Sequence, residues 1–343
     1  MTTRSATVVS SDPLLSKPDL PAVEAAHRRI ASSVAATPLI ESALGGNILL
    51  KLEALNPTGS FKIRGASNAL MARLDEAREK GVICCSTGNH GRALAYAAAK
   101  NDVRATICIS KLVPPSKVAA LKALGADVRI VGASQDDAQV EVDRLVEQDG
   151  RIEIPPFDHP DVIAGQGTIA LELLRQRPDL ATIAVPLSGG GLAGGIALAA
   201  KGIKPEIRII GISMDRGAAM AASITAGQPV EVEEVPSLAD SLGGGIGLAN
   251  RHSFGLCRRL LDDVILVTES EIYRGLRSLL TEERLLAEGG AAVGHAAILA
   301  DKLTLGDEPM ALIISGRNAE PDHVAKVLAG EPLQLSENVT VQP

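Results

Sequence analysis

The sequence predicts an α/β protein with two open, twisted, mostly parallel sheets flanked by helices, and two observations support that fold class. Short apolar runs alternate with amphipathic segments across polar turns from about residue 82 to 147, and a second such series runs from about 163 to 315. Repeated units of this kind are βα units and imply parallel strands. A Pro155-Pro156 break separates the two series, and 343 residues favour two lobes over one core. Ligands of such folds lie at the carboxyl ends of strands, so the cleft between the lobes is the expected site.

Taken in order, residues 1–18 are rich in Ser, Thr and Pro and read as a flexible tail. A helix is expected after Pro21, with Val23, Ala26, Ile30 and Val34 at helical spacing. Extended pieces at 37–40 and 48–52 lead to a turn built on Asn56, Pro57 and Gly59. Ser60 is the expected N-cap of a helix running through Ile63, Ala66 and Leu70. Strands at 82–85, 105–109 and 128–131 then alternate with helices at 89–100, 117–124 and 136–147. The second series reads as helix 163–175, strand 183–187, helix 192–200 and strand 207–212, followed by strand 264–267, helices 269–280 and 294–303, and strand 311–315. The expected division is a small α/β domain at 53–152, a large α/β domain from 19–52 and 153–331, and a tail at 332–343.

Composition narrows the function. Hydrophobic residues make up 46% and charged residues 22%, as in ordinary soluble globular proteins. A net charge of -7 and a near absence of aromatic rings argue against nucleic-acid partners, which need basic surface or stacking platforms. No apolar run reaches membrane-spanning length and the polar start lacks a signal-peptide core, so no membrane partner and a cytoplasmic location are expected. Cys84, Cys85, Cys108 and Cys257 lack metal-ligand spacing and read as reduced, mostly buried thiols. The six histidines form no HxxxH-type pair, and no metal is expected.

Four stretches have the composition of a reactive site. Lys62 falls in the first turn of its helix, where amides and the dipole disfavour an ammonium and suit an amine nucleophile. Taken alone, it reads as a solvated lysine beside a turn. Ser188-Gly189-Gly190-Gly191-Leu192 follows a strand and opens a helix, so bare amides form an anion cradle suited to phosphate. Contiguous glycines are not GxGxxG, which disfavours a nicotinamide dinucleotide. Ser86-Thr87-Gly88-Asn89-His90-Gly91 also joins a strand to a helix and offers Asn89 and local amides to a ring oxygen or carboxylate. Ser315-Gly316-Arg317-Asn318 ends a buried strand and can aim a hydroxyl into the cleft. Asp240–Gly245 reads as a flexible loop near the site, and Glu288 as a carboxylate at a helix start. A phosphate cradle, a reactive lysine and a strand-end hydroxyl together point to pyridoxal 5′-phosphate.

With those residues in view, a family resemblance is evident. Gly59-Ser60-Phe61-Lys62-Ile63-Arg64-Gly65-Ala66, the 86–91 loop, Ala164-Gly165-Gln166-Gly167-Thr168 and the glycine loop resemble the serine/threonine dehydratase and serine racemase group, over roughly residues 21–329. The resemblance implies the tryptophan-synthase-β type fold (fold type II among pyridoxal-phosphate enzymes), a homodimer and a small amino-acid substrate. It also implies roles. Lys62 would form the Schiff base and take the α-proton. Phe61 would pack on the pyridine ring, Asn89 would bond its 3′-oxygen, and Ser315 would face its nitrogen. Ser188 and the amides of Gly189, Gly190, Gly191 and Leu192 would hold the phosphate. Ser86, Thr87, Gly88, Asn89 and His90 would clamp the substrate carboxylate.

The expected reaction is β-elimination of water from a 3-hydroxy amino acid. A neutral hydroxyl opposite the pyridine nitrogen makes a weaker electron sink, which favours prompt loss of a β-leaving group. Hydroxide leaves poorly and needs a proton, supplied by Lys62 or the cofactor phosphate. Thr87 stands where racemase-like members carry a serine hydroxyl opposite the lysine, so the resemblance implies a catalytic role for it as proton donor on the second face. Ser213, Gly217 and Ala219 stand where those members carry metal-binding carboxylates. Ser241 replaces a glycine, and Arg317 replaces a small residue beside Ser315, so both are expected to influence substrate choice. The loop 86–96 together with 239–248 most resembles the hydroxyectoine utilisation dehydratase branch. Because that ring locks its α-nitrogen in an amidine, a ring-opened 3-hydroxy-2,4-diaminobutyrate-type substrate is expected. The alternatives are an L-threonine/L-serine ammonia-lyase, an amino-acid racemase, and a catalytically silent binding protein.

Overall fold

The computed structural model describes residues 18–86, 88–304 and 306–343. The tail expected at 1–18 therefore lies almost wholly outside the described residues, as does Thr87. The strands are β1 (Leu39–Glu41), β2 (Ile48–Lys51), β3 (Val82–Cys85), β4 (Ala105–Ile109), β5 (Asp127–Ile130) and β6 (Ile152–Glu153), then β7 (Thr182–Pro186), β8 (Arg208–Met214), β9 (Asp263–Val267), β10 (Met310–Ile313), β11 (Leu333–Ser336) and β12 (Val339–Val341).

Among the described residues they form a six-stranded sheet in the order β1-β2-β10-β7-β8-β9, a four-stranded sheet in the order β5-β4-β3-β6, and the ribbon β11-β12. The four-stranded sheet is parallel throughout. In the larger sheet only the edge strand β1 runs antiparallel to its neighbour. β3, β4, β7 and β10 are buried on both faces, as continuous apolar runs in parallel sheets require.

Two expectations are corrected here. Residues 332–343 are not a tail, since β11 and β12 pair antiparallel and bury Leu333 and Val341 in the core of the larger sheet. Ser60 is not an N-cap. The helix Lys62–Ala72 has Phe61 at that position with no side-chain cap, while Ser60 forms an isolated antiparallel bridge with Gly316. Pairing with a distant strand end has displaced the local cap.

Small residues let the lysine helix sit deep. A Cβ at Gly165, in helix Pro160–Gln176, would lie 2.7 Å from the Cα of Gly65 and 2.6 Å from the carbonyl of Arg64. The Ala-Gly-Gln-Gly-Thr stretch is thus the surface on which Lys62–Ala72 rests. Beneath it the Arg64 guanidinium is shared between two carboxylates, Nε reaching Glu53 Oε2 at 2.7 Å and Nη1 reaching Glu172 Oε1 at 2.7 Å. Lys51 Nζ meets Glu172 Oε2 at 2.7 Å and the Thr37 carbonyl at 2.8 Å. Thr37 Oγ1 donates to Glu53 Oε1, and Thr168 Oγ1 accepts from Arg64. All four charged groups are at most 2% exposed. Burial alone would lower the pKa of Arg64, but Glu53 and Glu172 hold it well above its usual range. The network fastens the first turn of the lysine helix to β2 and to helix Pro160–Gln176.

Candidate active site

The lysine turn is zipped to the end of β10. Phe61 N donates to the Ser315 carbonyl at 3.0 Å, and Arg317 N donates to the Gly59 carbonyl at 2.8 Å. This ladder brings Lys62 beside Ser315 across 253 residues of sequence. Lys62 is half-buried, its Nζ donates to the Pro156 carbonyl at 2.8 Å, and it lies 5.3 Å from the Phe61 ring centroid. Burial lowers its pKa to about 8, with the Glu288 carboxylate pulling the other way. The neutral amine is the nucleophile, so capture of pyridoxal phosphate by apoprotein should accelerate as pH rises through about 8. Borohydride trapping with peptide mapping would follow this at Lys62. A rate that climbs only near the free-lysine value of about 10.4 would show the amine to be solvated.

The glycine loop opens helix Gly191–Ile203 at the carboxyl end of β7. Gly190 has φ +85, where a side chain is strained, and a Cβ there would fall 2.6 Å from Met220 Cε. A Cβ at Gly189 would fall 2.4 Å from the Phe157 ring. Packing therefore demands glycine on the loop's inner side. The amides of Gly189 and Gly190 donate to no acceptor among the described residues. Those of Gly191 and Leu192 open the helix, where amides lack intrahelical partners.

The 86–91 loop brings Asn89 to a polar cluster. Its Nδ2 donates to Glu288 Oε1 at 2.8 Å, and its Oδ1 accepts from Asn318 Nδ2 at 2.6 Å. Asn318 N donates to Glu288 Oε2 at 3.0 Å. Burial and Asp240 raise the Glu288 pKa against the hydrogen bonds of Ser241, Asn318 and Asn89. Ser241 is thus drawn to Glu288. One amide hydrogen of Asn89 is left for a ligand oxygen. His90 is 2% exposed and its Nε2 lies 2.7 Å from the Ile154 carbonyl. Burial and the charge of Lys62 push its pKa down to about 3 despite that carbonyl contact, so the ring is neutral and Nδ1 is its unpartnered nitrogen. Ser86 and Gly88 flank the loop half-buried, and Gly91 is obligatory because its Cβ would meet the Ser86 carbonyl at 2.2 Å. Thr87 lies outside the described residues.

These residues fit pyridoxal 5′-phosphate. The cradle offers free amides, Lys62 an amine, Phe61 a ring, and Ser315 a hydroxyl that is buried and makes no hydrogen bond among the described residues. Ser60 Oγ and Thr58 Oγ1 are also buried without partners among the described residues. Asn318, Pro156 and the segment that braces the cradle carried no assigned role in the sequence, because their partners are remote in the chain. Ser213 is buried in β8 and Ala219 opens helix Ala219–Ala226, and no group of three or more His, Cys, Asp or Glu among the described residues could hold a metal. Nor is any described helix long and apolar enough to cross a membrane.

Comparison with known proteins adds kinship to geometry. Residues 30–316 match a family model described as "Pyridoxal-phosphate dependent enzyme". A Sinorhizobium fredii (strain NBRC 101917 / NGR234) protein named "Putative threonine dehydratase" is 53% identical over 321 residues, 92% of this chain and 97% of that protein. The catabolic L-threonine dehydratase TdcB of Escherichia coli K12 is 38% identical over 284 residues, 82% of this chain and 86% of TdcB. Maize serine racemase superposes with a TM-score of 0.84 at 34% identity, covering 92% of this chain and 98% of its own.

Proposed function

We propose, from the premise that this chain belongs to the pyridoxal-phosphate-dependent enzyme family, that it is a lyase removing water from a 3-hydroxy amino acid. The observation that carries this reading is Lys62, a half-buried amine on the Pro156 carbonyl with its pKa lowered to about 8, zipped beside Ser315. The threonine dehydratases among its relatives support it. Bound pyridoxal phosphate supplies the electron sink for breaking the Cα–H and Cβ–O bonds.

The protein's own groups would do the rest. The glycine-loop amides and Ser188 hold the phosphate. Phe61 packs on the pyridine ring, Asn89 donates to the ring oxygen, and Ser315 gives its nitrogen a neutral partner. Ser86, Thr87, Gly88, Asn89 and His90 orient the substrate carboxylate. Lys62 Nζ takes the α-proton and returns a proton to the leaving hydroxyl, so that water departs. Hydrolysis of the released enamine then yields ammonia and an α-keto acid. The chain is proposed to divide between a small domain at 53–152 and a large one at 19–52 and 153–343, with the cofactor in the cleft, and to act as a cytoplasmic homodimer.

The substrate we favour is a ring-opened 3-hydroxy-2,4-diaminobutyrate-type product of hydroxyectoine. Supporting a distal ammonium is a cavity of about 460 Å³ lined in part by Glu288 and Asn318, with Glu234, Asp240, Glu320 and His323. Arg317, whose guanidinium has no partner among the described residues, is the group that would instead favour an acidic side chain. A panel of this diamino acid, L-threonine, L-serine and 3-hydroxyaspartate, assayed for α-keto acid, tests the choice. The diamino acid is expected to give the highest kcat/KM. A higher value for threonine would establish the ammonia-lyase alternative. Kinship with serine racemase makes isomerisation the second reading, and solvent deuterium entering Cα without keto-acid release would select it.

A further inference from the structure

The segment Pro156-Phe157-Asp158 touches both halves of the candidate site. Pro156 holds Lys62 through its carbonyl, and Phe157 packs against the inner side of the glycine loop. Asp158 reaches elsewhere. Its Oδ2 accepts from Arg251 N at 2.7 Å, and its Oδ1 accepts from His252 N and Ser253 N, both at 2.9 Å. These amides lead into helix Ser253–Leu260, which has no side-chain cap of its own at His252. Asp158 thus caps that helix from 93–95 residues away.

The capped helix faces the cradle from behind. Ser253 Oγ donates to the Gly189 carbonyl at 2.7 Å, and Cys257 Sγ donates to the Gly190 carbonyl at 3.5 Å. Both side chains are fully buried. In a trans peptide the C=O and the following N–H point in opposite directions. The Gly190 carbonyl also accepts from Gly194 N at 2.7 Å, so its peptide plane is set mainly by its own helix. Holding the Gly189 carbonyl toward Ser253 turns the amide of Gly190 the other way. The orientation of the Gly190 amide is thus tied to helix Ser253–Leu260. Asp158 holds that helix's first turn together with Asn250, whose Oδ1 accepts from Phe254 N at 2.9 Å and whose Nδ2 donates to Ser253 Oγ at 2.8 Å.

We infer that Asp158 is a positioning residue for the cofactor phosphate, acting through Ser253 on the Gly189–Gly190 peptide plane of the glycine loop. The inference rests on the reading that residues 188–192 hold that phosphate. Because the same short segment anchors Lys62, it also keeps the amine and the cradle in register.

The test compares pyridoxal 5′-phosphate with pyridoxal, which lacks the phosphate, by equilibrium binding to apoprotein and borohydride trapping at Lys62. Asp158→Ala is expected to weaken pyridoxal phosphate about tenfold, the scale of a lost helix cap, and to leave pyridoxal within about twofold. Asp158→Asn, which keeps one acceptor oxygen, should fall between wild type and Asp158→Ala. Ser253→Ala should show the same selective loss with Asp158 in place, and it decides the matter if Asp158→Ala does not fold. Unchanged phosphate-dependent affinity in both Asp158→Ala and Ser253→Ala, or an equal loss for the two ligands, overturns the inference. Wild-type protein that captures neither ligand would instead refute the cofactor reading beneath it.

Discussion

Lys62→Ala is expected to lower kcat/KM for elimination by about 10²–10⁴-fold, the scale of losing a positioned acid–base group. Covalent cofactor attachment should vanish with it, while the cradle keeps some non-covalent binding. The expectation follows from one atom. Lys62 Nζ rests on the Pro156 carbonyl, and burial lowers its pKa to about 8. About a tenth of it is then neutral at pH 7, against less than about a thousandth of a free lysine. The nearby histidine is a poor substitute, because burial and the charge of Lys62 push the His90 pKa down to about 3, leaving its Nδ1 a very weak base, while Nε2 is committed to Ile154. Keto-acid release and borohydride trapping, measured on wild type and variant, give two independent readouts. Activity within tenfold of wild type would remove Lys62 from the chemistry.

Arg64→Met is expected to destabilise the protein by about 3–5 kcal/mol, the range for removing one partner of a buried ion pair. The cost is not the lost bonds alone. Glu53 and Glu172 would stay 0% and 2% exposed, with only Lys51, Thr37, Asn56 and the backbone to answer them. Arg64→Lys should recover little, since one ammonium cannot reproduce a fork that meets two carboxylates at once. Urea unfolding with an unchanged m-value measures the effect. A loss below about 1 kcal/mol would mean that the network relaxes or hydrates when opened.

How much could be read in advance depended on how locally each feature is encoded. β3, β4 and the helix Asn89–Lys100 lie where the alternation of apolar runs and amphipathic turns predicts them, because burial pattern and turn chemistry are written in neighbouring residues. The glycine loop was legible for the same reason, since strand, bare amides and helix are contiguous. Ser60 misled because a serine before a helix is a good cap in isolation, whereas its backbone is claimed by Gly316. The 332–343 ribbon carried a readable signal, hydrophobic residues at 333, 335, 339 and 341, that its position at the chain end obscured. Asp158, Ser253 and Asn318 gave no such signal. Their meaning lies in partners that only the fold supplies.

The position of β10 also bears on the order of assembly. It lies between β2 and β7, yet its residues, 310–313, come more than 120 positions after those of β7. During synthesis the larger sheet exists as two unjoined pieces, β1-β2 and β7-β8-β9, until the last tenth of the chain has emerged. The four-stranded sheet, drawn from residues 82–153, meets no such delay. Ser315 and Asn318 arrive on the heels of the keystone strand, so the candidate site is completed only when the sheet is. A nascent chain therefore carries its reactive lysine long before it has the groups that would put that lysine to use.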